Sequence, residues 1–320
     1  IVAEAHGGPE IMRAIEAPDP DPGAGEVRVR VEFAGVNFID IYQRSGLYAS
    51  PVPVPLGLEG AGVVEALGEG VGEIALGDRV AWAGVPGSYA THLIASANRL
   101  VPVPEVVSLD AAAAVMLQGM TAHYLSHSSY ELRPGDECLV HAGAGGVGLL
   151  LIQMAKRAGA RVLTTVSTEE KAAAARDAGA DEVIPYSQVD FAAEVSRLTE
   201  GRGVRVVYDG VGRDTFEGSL DSLMPRGYLI LFGQSSGPVG QFDPQVLNTK
   251  GSLFLQRPTL FHYVAERQEL LERAGRVLDW VAEDGLRVRI GSILPLQEAA
   301  QAHRALEGRR TIGKVILSTS

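Results

Sequence analysis

Leu139-Val140-His141-Ala142-Gly143-Ala144-Gly145-Gly146-Val147-Gly148, continuing into Leu149 to Ala158, sets the terms for reading the whole chain. A short apolar run ends in a turn where Gly143, Gly145 and Gly148 satisfy the G-x-G-x-x-G spacing, and a helix-forming stretch follows at once. Missing side chains let backbone N–H groups at a helix N-terminus approach a pyrophosphate closely, which makes Gly143, Gly145 and Gly148 candidate dinucleotide contacts. The bland explanation of the same glycines is close helix–strand packing. The order of elements around the turn favours the phosphate reading.

Outward from that turn the rhythm is strand, helix, strand. Strands are expected at Cys138–Ala142, Arg161–Ser167, Glu182–Ile184, Val204–Tyr208, Tyr228–Phe232 and Ser252–Gln256, with helix-length connections between the first five. This alternation predicts an α/β fold, a doubly wound parallel sheet of the Rossmann type. About 20 residues beyond the glycines, where an NAD site carries Asp or Glu for the ribose 2′-hydroxyl, the chain has Ser167 and Thr168 with Lys171 a turn later. Neutral hydrogen-bonding groups beside a cation suit a 2′-phosphate, so NADPH is the expected cofactor. Ser167-x-x-Glu170 also reads as a capping box and Lys171 as a solvated helix residue, and both descriptions can hold together.

The first third differs. From Glu26 to Phe33 apolar Val27, Val29, Val31 and Phe33 alternate with charged residues, the period of a half-buried strand. Further runs at Gly62–Leu67, Asp78–Ala83 and Ser88–Ala95 lie between Gly and Pro clusters, as in a small barrel. Helical character appears over Asp110–Leu117 and Thr121–His127. A long amphipathic helix is expected over Tyr263–Glu283, followed by a strand at Arg287–Ile290, a helix at Glu298–Glu307 and a strand at Lys314–Leu317 that rejoins the barrel. The expected domains are residues 1–124 with 264–320, and 125–263, the second binding the dinucleotide.

Composition narrows the function classes. The 320 residues carry a formal net charge of -11, which opposes binding to a phosphate backbone, so no nucleic-acid partner is expected. The apolar runs are too short for a membrane span, and Ile1–Ala5 lacks the features of a signal peptide. One cysteine, Cys138, permits neither an intramolecular disulfide nor a cysteine-rich zinc site. A cytoplasmic location is the expectation. His123 and His127 stand four residues apart, a spacing that can bind metal, but without carboxylate support they read as helix surface or packing.

Several stretches resemble one family, the zinc-independent quinone oxidoreductases that include zeta-crystallin, within the medium-chain dehydrogenase/reductase superfamily. They are Val36-Asn37-Phe38-Ile39-Asp40, Tyr42, Arg44 to Tyr48, Gly57 to Gly62, Gln118 to Ala122, the glycine turn, Val207 to Gly212, Phe232 to Gly237 and Arg257-Pro258. The resemblance spans essentially the whole chain and implies a GroES-like β-barrel catalytic domain beside the Rossmann domain. Zinc alcohol dehydrogenases of similar fold carry a G-H-E motif, and here Leu58 replaces its histidine, so no metal is expected. By the resemblance, Asn37, Tyr42 and Tyr48 lie near the nicotinamide as catalytic candidates. Thr121 touches the cofactor, Gly146 and Val147 cradle its diphosphate, and Ser167, Lys171 and Tyr186 surround its 2′-phosphate. Phe232, Ser235 and Ser236 approach the nicotinamide side, with Arg257 and Arg309 reaching in from distal segments.

The implied activity is hydride transfer from NADPH to a quinone in the cleft between domains, with Tyr42, Tyr48 or water supplying a proton. An NADPH-dependent enone double-bond reductase is the nearest alternative, and a non-catalytic NADPH-binding or redox-sensing protein is another. A homodimer joined near Tyr228–Gln256 is also implied.

Overall fold

The computed structural model describes residues 1–319. The chain divides into two compact units, Ile1–Met120 with everything from Val264 onward, and Thr121–Tyr263. The helix Leu109–Tyr124 carries the chain from the first to the second.

The first unit is built on the strand Glu26–Val36. It pairs antiparallel with Glu59–Leu67, His92–Ser96 and Lys314–Ser318. Val27, Val29 and Val31 are buried, as their alternation with charged residues requires. The strand runs past Phe33 to Val36, where Ala34, Gly35 and Val36 are buried in succession and the alternation that marks a half-exposed strand vanishes. Arg79–Ala83 and Val101–Pro102 extend the sheet on one side. On the other side the outer strand is Ile290–Pro295, parallel to Lys314–Ser318, in place of the expected Arg287–Ile290. Pairing with a partner decided its position, and Gly291 fits there because a Cβ would meet the Ile312 carbonyl oxygen at 1.9 Å.

The expected strand at Ser88–Ala95 is shortened to His92–Ser96, because Tyr89 and Ser88 are held in a loop: the Tyr89 N–H donates to Leu56 O and the Ser88 hydroxyl receives Trp82 Nε1–H. The C-terminal part of the unit adds the helices Arg267–Ala282 and Ala299–Glu307. The first of these is shorter than Tyr263–Glu283: Tyr263 closes a separate 3-10 turn, Leu260–His262, through its N–H to the Leu260 carbonyl, and the helix starts only after its N-cap Glu266.

The second unit is a six-stranded parallel sheet. In spatial order its strands are Glu182–Pro185, Arg161–Val166, Glu137–Val140, Val204–Asp209, Leu223–Leu231 and Phe254–Gln256. Cys138, Leu139 and Val140 are all fully buried, the run of apolar residues expected of a strand covered on both faces. The helices Gly146–Arg157, Glu169–Asp177 and Phe191–Leu198 alternate with the strands. Glu137–Val140, first of the six in sequence, lies inside the sheet, with its successor on one side and Val204–Asp209 on the other. That reversal of strand order creates a crevice at the carboxyl ends of the strands, where open α/β sheets bind ligands.

Candidate functional site

In the second unit the turn after Glu137–Val140 sits at the switch point. Each of its glycines answers to a different steric demand. A Cβ on Gly143 would lie 1.9 Å from Thr164 Oγ1, and one on Gly148 would lie 2.5 Å from the Ala142 carbonyl oxygen, so both are fixed by packing. A Cβ on Gly145 would meet only the Ala142 carbonyl oxygen, at 3.2 Å, which leaves its other side open to an approaching group. Gly145 is also the N-cap of the helix Gly146–Arg157 and supplies no side-chain cap. Gly145, Gly146 and Val147 are half-buried. First-turn N–H groups of such a helix lack intrahelical partners and favour an anion. Ala142 holds a left-handed backbone, φ 53°, that an L side chain adopts only at a cost; no glycine marks that position in the sequence.

The carboxyl end of the next strand, Arg161–Val166, leads into Ser167 and the helix Glu169–Asp177. Lys171 Nζ donates to Ser167 Oγ at 3.4 Å, the Tyr186 N–H donates to the Val166 carbonyl at 3.1 Å, and Ser187 Oγ donates to the Ser167 carbonyl. Ser167, Lys171 and Tyr186 are thereby gathered at neighbouring strand ends. The cap of this helix is Thr168 rather than Ser167: the Thr168 hydroxyl accepts from the Lys171 N–H. The cap therefore sits one residue beyond the expected Ser167, as a single hydrogen bond to Thr168 in place of a Ser167–Glu170 capping box, and the Ser167 side chain faces Lys171.

The loop after Val204–Asp209 and the segment Phe232–Gly237 are stitched together. Ser235 and Ser236 N–H groups donate to Gly210 and Val211 carbonyls, and Ser236 Oγ both donates to Val211 O and accepts from the Asp214 N–H. Gly210 is pressed against the Phe232 ring. Thr121 is buried on the helix Leu109–Tyr124, and Arg257 Nη1 donates to the Pro258 carbonyl. His123 and His127 stack at 4.4 Å, and His127 Nδ1 lies within hydrogen-bond distance of Ser126 Oγ.

In the first unit Asn37 caps the helix Phe38–Ser45, on which Tyr42 lies. The Tyr48 N–H donates to the Tyr42 carbonyl at 3.0 Å, and their rings stand 5.0 Å apart. Asn37 itself is 3% exposed and its amide is saturated. Its Oδ1 accepts from Lys314 Nζ at 2.8 Å and Gln118 Nε2 at 3.2 Å, while Nδ2 donates to Glu59 Oε2 at 2.8 Å and Gly35 O. Lys314 Nζ also meets Glu59 Oε2 at 2.5 Å, with both side chains almost wholly buried. The sequence offered no local signal for this ion pair, which closes a loop of 255 residues. Arg309 follows the helix Ala299–Glu307, with a left-handed backbone of φ 55°.

Asp40 accepts from the Asn37 N–H and the Tyr89 hydroxyl, both at 2.9 Å, and its Oδ1 is buried without a hydrogen-bond partner among the described residues. Burial pushes its pKa up to about 7, against the pull of those hydrogen bonds and of Lys314. Beyond Tyr89 stands His303, whose pKa is lowered to about 3 by burial and by the adjacent Arg44 guanidinium. Neutral His303 can accept from Arg44 through Nδ1, and its Nε2–H then faces the Tyr89 oxygen at 3.2 Å. Among the described residues no group of three or more His, Cys, Asp or Glu side chains is arranged to hold a metal ion.

A doubly wound sheet with an uncapped glycine turn at its switch point, joined in sequence to a largely antiparallel unit made from both ends of the chain, defines the dehydrogenase/reductase class of α/β proteins. Residues 146–282 match the zinc-binding dehydrogenase family and residues 23–105 the alcohol dehydrogenase GroES-like domain. A quinone oxidoreductase of Pseudomonas aeruginosa is 45% identical over 98% of this chain and 97% of its own length. A mycobacterial protein solved with NADPH superposes with a TM-score of 0.97 at 47% identity, covering 99% of each chain. Escherichia coli quinone oxidoreductase, also solved with NADPH, gives a TM-score of 0.97 at 42% identity over 99% of this chain and 98% of that one. The chain belongs to the zinc-independent quinone oxidoreductase family of the medium-chain dehydrogenase/reductase superfamily. Its fold is the expected Rossmann sheet with a GroES-like unit.

Proposed function

We propose that this chain is an NADPH:quinone oxidoreductase. The observation that carries the reading is the open, uncapped helix N-terminus at Gly145–Val147 with Ser167 and Lys171 gathered at the next strand end. The turn holds the pyrophosphate on first-turn N–H groups, and Lys171 with Ser167 holds the 2′-phosphate. Tyr186 borders that pocket, and Thr121, Arg257 and Arg309 are further cofactor contacts. Phe232, Ser235 and Ser236 receive the nicotinamide side. When bound, NADPH supplies the hydride. The protein's part is placement and proton supply.

Asn37 has no amide atom to spare, so it acts by fixing the entry to the helix that carries Tyr42 and by shaping the nicotinamide surroundings. Tyr42 or Tyr48 donates the proton, directly or through water. The substrate is a small electron-poor quinone. No helix among the described residues is long and apolar enough to cross a membrane. The lone thiol, Cys138, is buried, in keeping with a cytoplasmic enzyme. A homodimer through the edge strand Phe254–Gln256 is part of the proposal, supported by Phe254, which is 50% exposed and stacks on Tyr228 at 4.5 Å.

The deciding experiment follows NADPH and NADH oxidation against quinones, enones and aldehydes. Fast NADPH turnover on quinones is expected. Faster turnover on enones would transfer the assignment to a double-bond reductase, and NADPH binding without consumption by any acceptor would make the chain a binding protein. Within an active enzyme, unchanged kcat in both Tyr42→Phe and Tyr48→Phe would remove the tyrosines as proton donors.

A further inference from the structure

Beneath the glycine turn lies a buried polar chain that the reading above does not use. His141, the residue after the strand Glu137–Val140, is 2% exposed, and its ring meets Phe191 edge-on. Its Nδ1 lies 2.9 Å from Thr165 Oγ1 on the neighbouring strand, and its Nε2 lies 3.0 Å from Ser219 Oγ. Ser219 Oγ in turn donates to Asp209 Oδ2 at 2.8 Å, at the end of the strand on the other side. Thr165 Oγ1 accepts the N–H of Ala142 at 3.3 Å, in the strained first residue of the turn. Asp209 Oδ1 accepts the Val211 N–H at 2.8 Å and the Gly212 N–H at 3.0 Å, and Thr215 Oγ1 reaches both carboxylate oxygens.

Donor and acceptor counting fixes the polarity. A carboxylate only accepts, so Ser219 spends its one proton on Asp209 and must accept from His141 Nε2–H. Neutral imidazole then has a bare Nδ1, which accepts the Thr165 hydroxyl proton, and the Thr165 oxygen is free to accept from Ala142. Burial disfavours the imidazolium, in agreement with a lowered His141 pKa. The result is one directed path from the Ala142 N–H, through Thr165, His141 and Ser219, to the carboxylate that anchors the loop 210–215. That loop carries the Phe232–Ser236 segment through the backbone bonds of Gly210 and Val211. The path crosses the sheet at the switch point, bridging the strands on either side of Glu137–Val140.

We infer that His141 is a positioning residue which, through Thr165 and Ser219, locks the phosphate turn and the loop 210–215 into one register, so that the adenosine and nicotinamide halves of the cofactor are received together. The inference rests on the NADPH reading. Hydrogen bonds within one connected network act jointly, so cutting the path at either end disturbs both loops, and a second cut adds little.

The test is a double-mutant cycle of Thr165→Val and Ser219→Ala, read as Kd for NADPH and for 2′,5′-ADP, a fragment that reports only on the turn side. Each single variant is expected to weaken NADPH binding about three- to tenfold, and the double variant no further than the weaker single one. Ser219→Ala should weaken 2′,5′-ADP as well, although Ser219 lies on the far side of His141 from the turn. KM for NADPH should rise while kcat at saturating cofactor holds, and Thr165→Ser, which keeps the oxygen, should restore wild-type Kd. Losses that multiply in the double variant, or fragment binding untouched by Ser219→Ala, overturn the inference. If Thr165→Val does not fold, the fragment result with Ser219→Ala decides alone. Absence of NADPH binding by the unaltered protein would instead overturn the functional reading itself.

Discussion

The two units bury polar groups in opposite ways. In the first, Lys314, Glu59 and Arg44 bring full charges into the interior, and Lys314–Glu59 and Arg44–Glu307 pair them across long stretches of chain. In the second, the buried path uses hydroxyls, backbone N–H groups and a neutral imidazole, and its one carboxylate, Asp209, is saturated by N–H and O–H donors. Removing a partner from a buried ion pair strands a charge, whereas removing one from a neutral path strands a single hydrogen bond. The first arrangement makes a rigid frame around Asn37 and the helix behind it. The second ties the phosphate turn to the loop 210–215 by hydrogen bonds alone.

The largest effect expected of this contrast is on the frame. Lys314→Met leaves the Glu59 carboxylate and Asn37 Oδ1 without their cation in a buried site, and the cost should be about 3–5 kcal/mol in denaturant unfolding. Adding Glu59→Gln should recover part of it, since the stranded charge is then gone. A loss under about 1 kcal/mol for Lys314→Met would put the two polar cores on the same footing and end the comparison.

Asp40 sharpens it through pH. Its folded pKa of about 7 lies above its ordinary value of 3.8, so between those values the folded state holds a proton that the unfolded state has released. Stability from this group is full below the ordinary carboxylate range and is lost as pH rises through about 7, at roughly 1.4 kcal/mol per pH unit in between. Asp40→Asn should remove that slope. The amide oxygen can take the two donors from Asn37 and Tyr89, with the amide nitrogen at the position of the unpartnered Oδ1. Unfolding followed from pH 4 to pH 8 should fall in the parent and run flatter in the variant; parallel curves would show that Asp40 is ionised throughout.

What could be read in advance follows the same division. The strand–turn–helix around Gly143 was legible because local sterics impose it: Thr164 and the Ala142 carbonyl exclude side chains at Gly143 and Gly148. The parallel strands were legible because they are continuous apolar runs. Lys314 and Glu59 gave no such signal, since a lysine and a glutamate look solvated until the sheet brings strand Lys314–Ser318 beside Glu26–Val36. The Ile290–Pro295 strand was misplaced for the same reason: its position is set by its partner and not by its own pattern. His141 lay inside the quoted motif, yet its partners Thr165 and Ser219 are 24 and 78 residues away.

In the second unit the next effect in size concerns Lys171. With its ammonium beside Ser167 Oγ, a charge-assisted bond to a 2′-phosphate contributes about 1.5–3 kcal/mol, so Lys171→Ala should weaken NADPH by roughly ten- to a hundredfold and leave NADH nearly unchanged. Fluorescence titration with both cofactors reads this directly. An equal loss for the two would take Lys171 out of the phosphate site.

Thr168 gives the smallest effect and separates the two duties that meet at this helix start. Its hydroxyl accepts the Lys171 N–H, so Thr168→Ala removes an N-cap and should cost about 1 kcal/mol of stability. Ser167, displaced from the cap, faces Lys171 instead. Ser167→Ala should therefore spare the helix and weaken NADPH binding, while Thr168→Ala lowers thermal stability and changes NADPH affinity less than Ser167→Ala does. If Ser167→Ala is the variant that melts early, the cap belongs to Ser167 and the one-residue displacement is wrong. The two effects are small enough to need paired measurements of Tm and Kd on the same protein preparations, with NADH as the internal reference for anything that acts only through the fold.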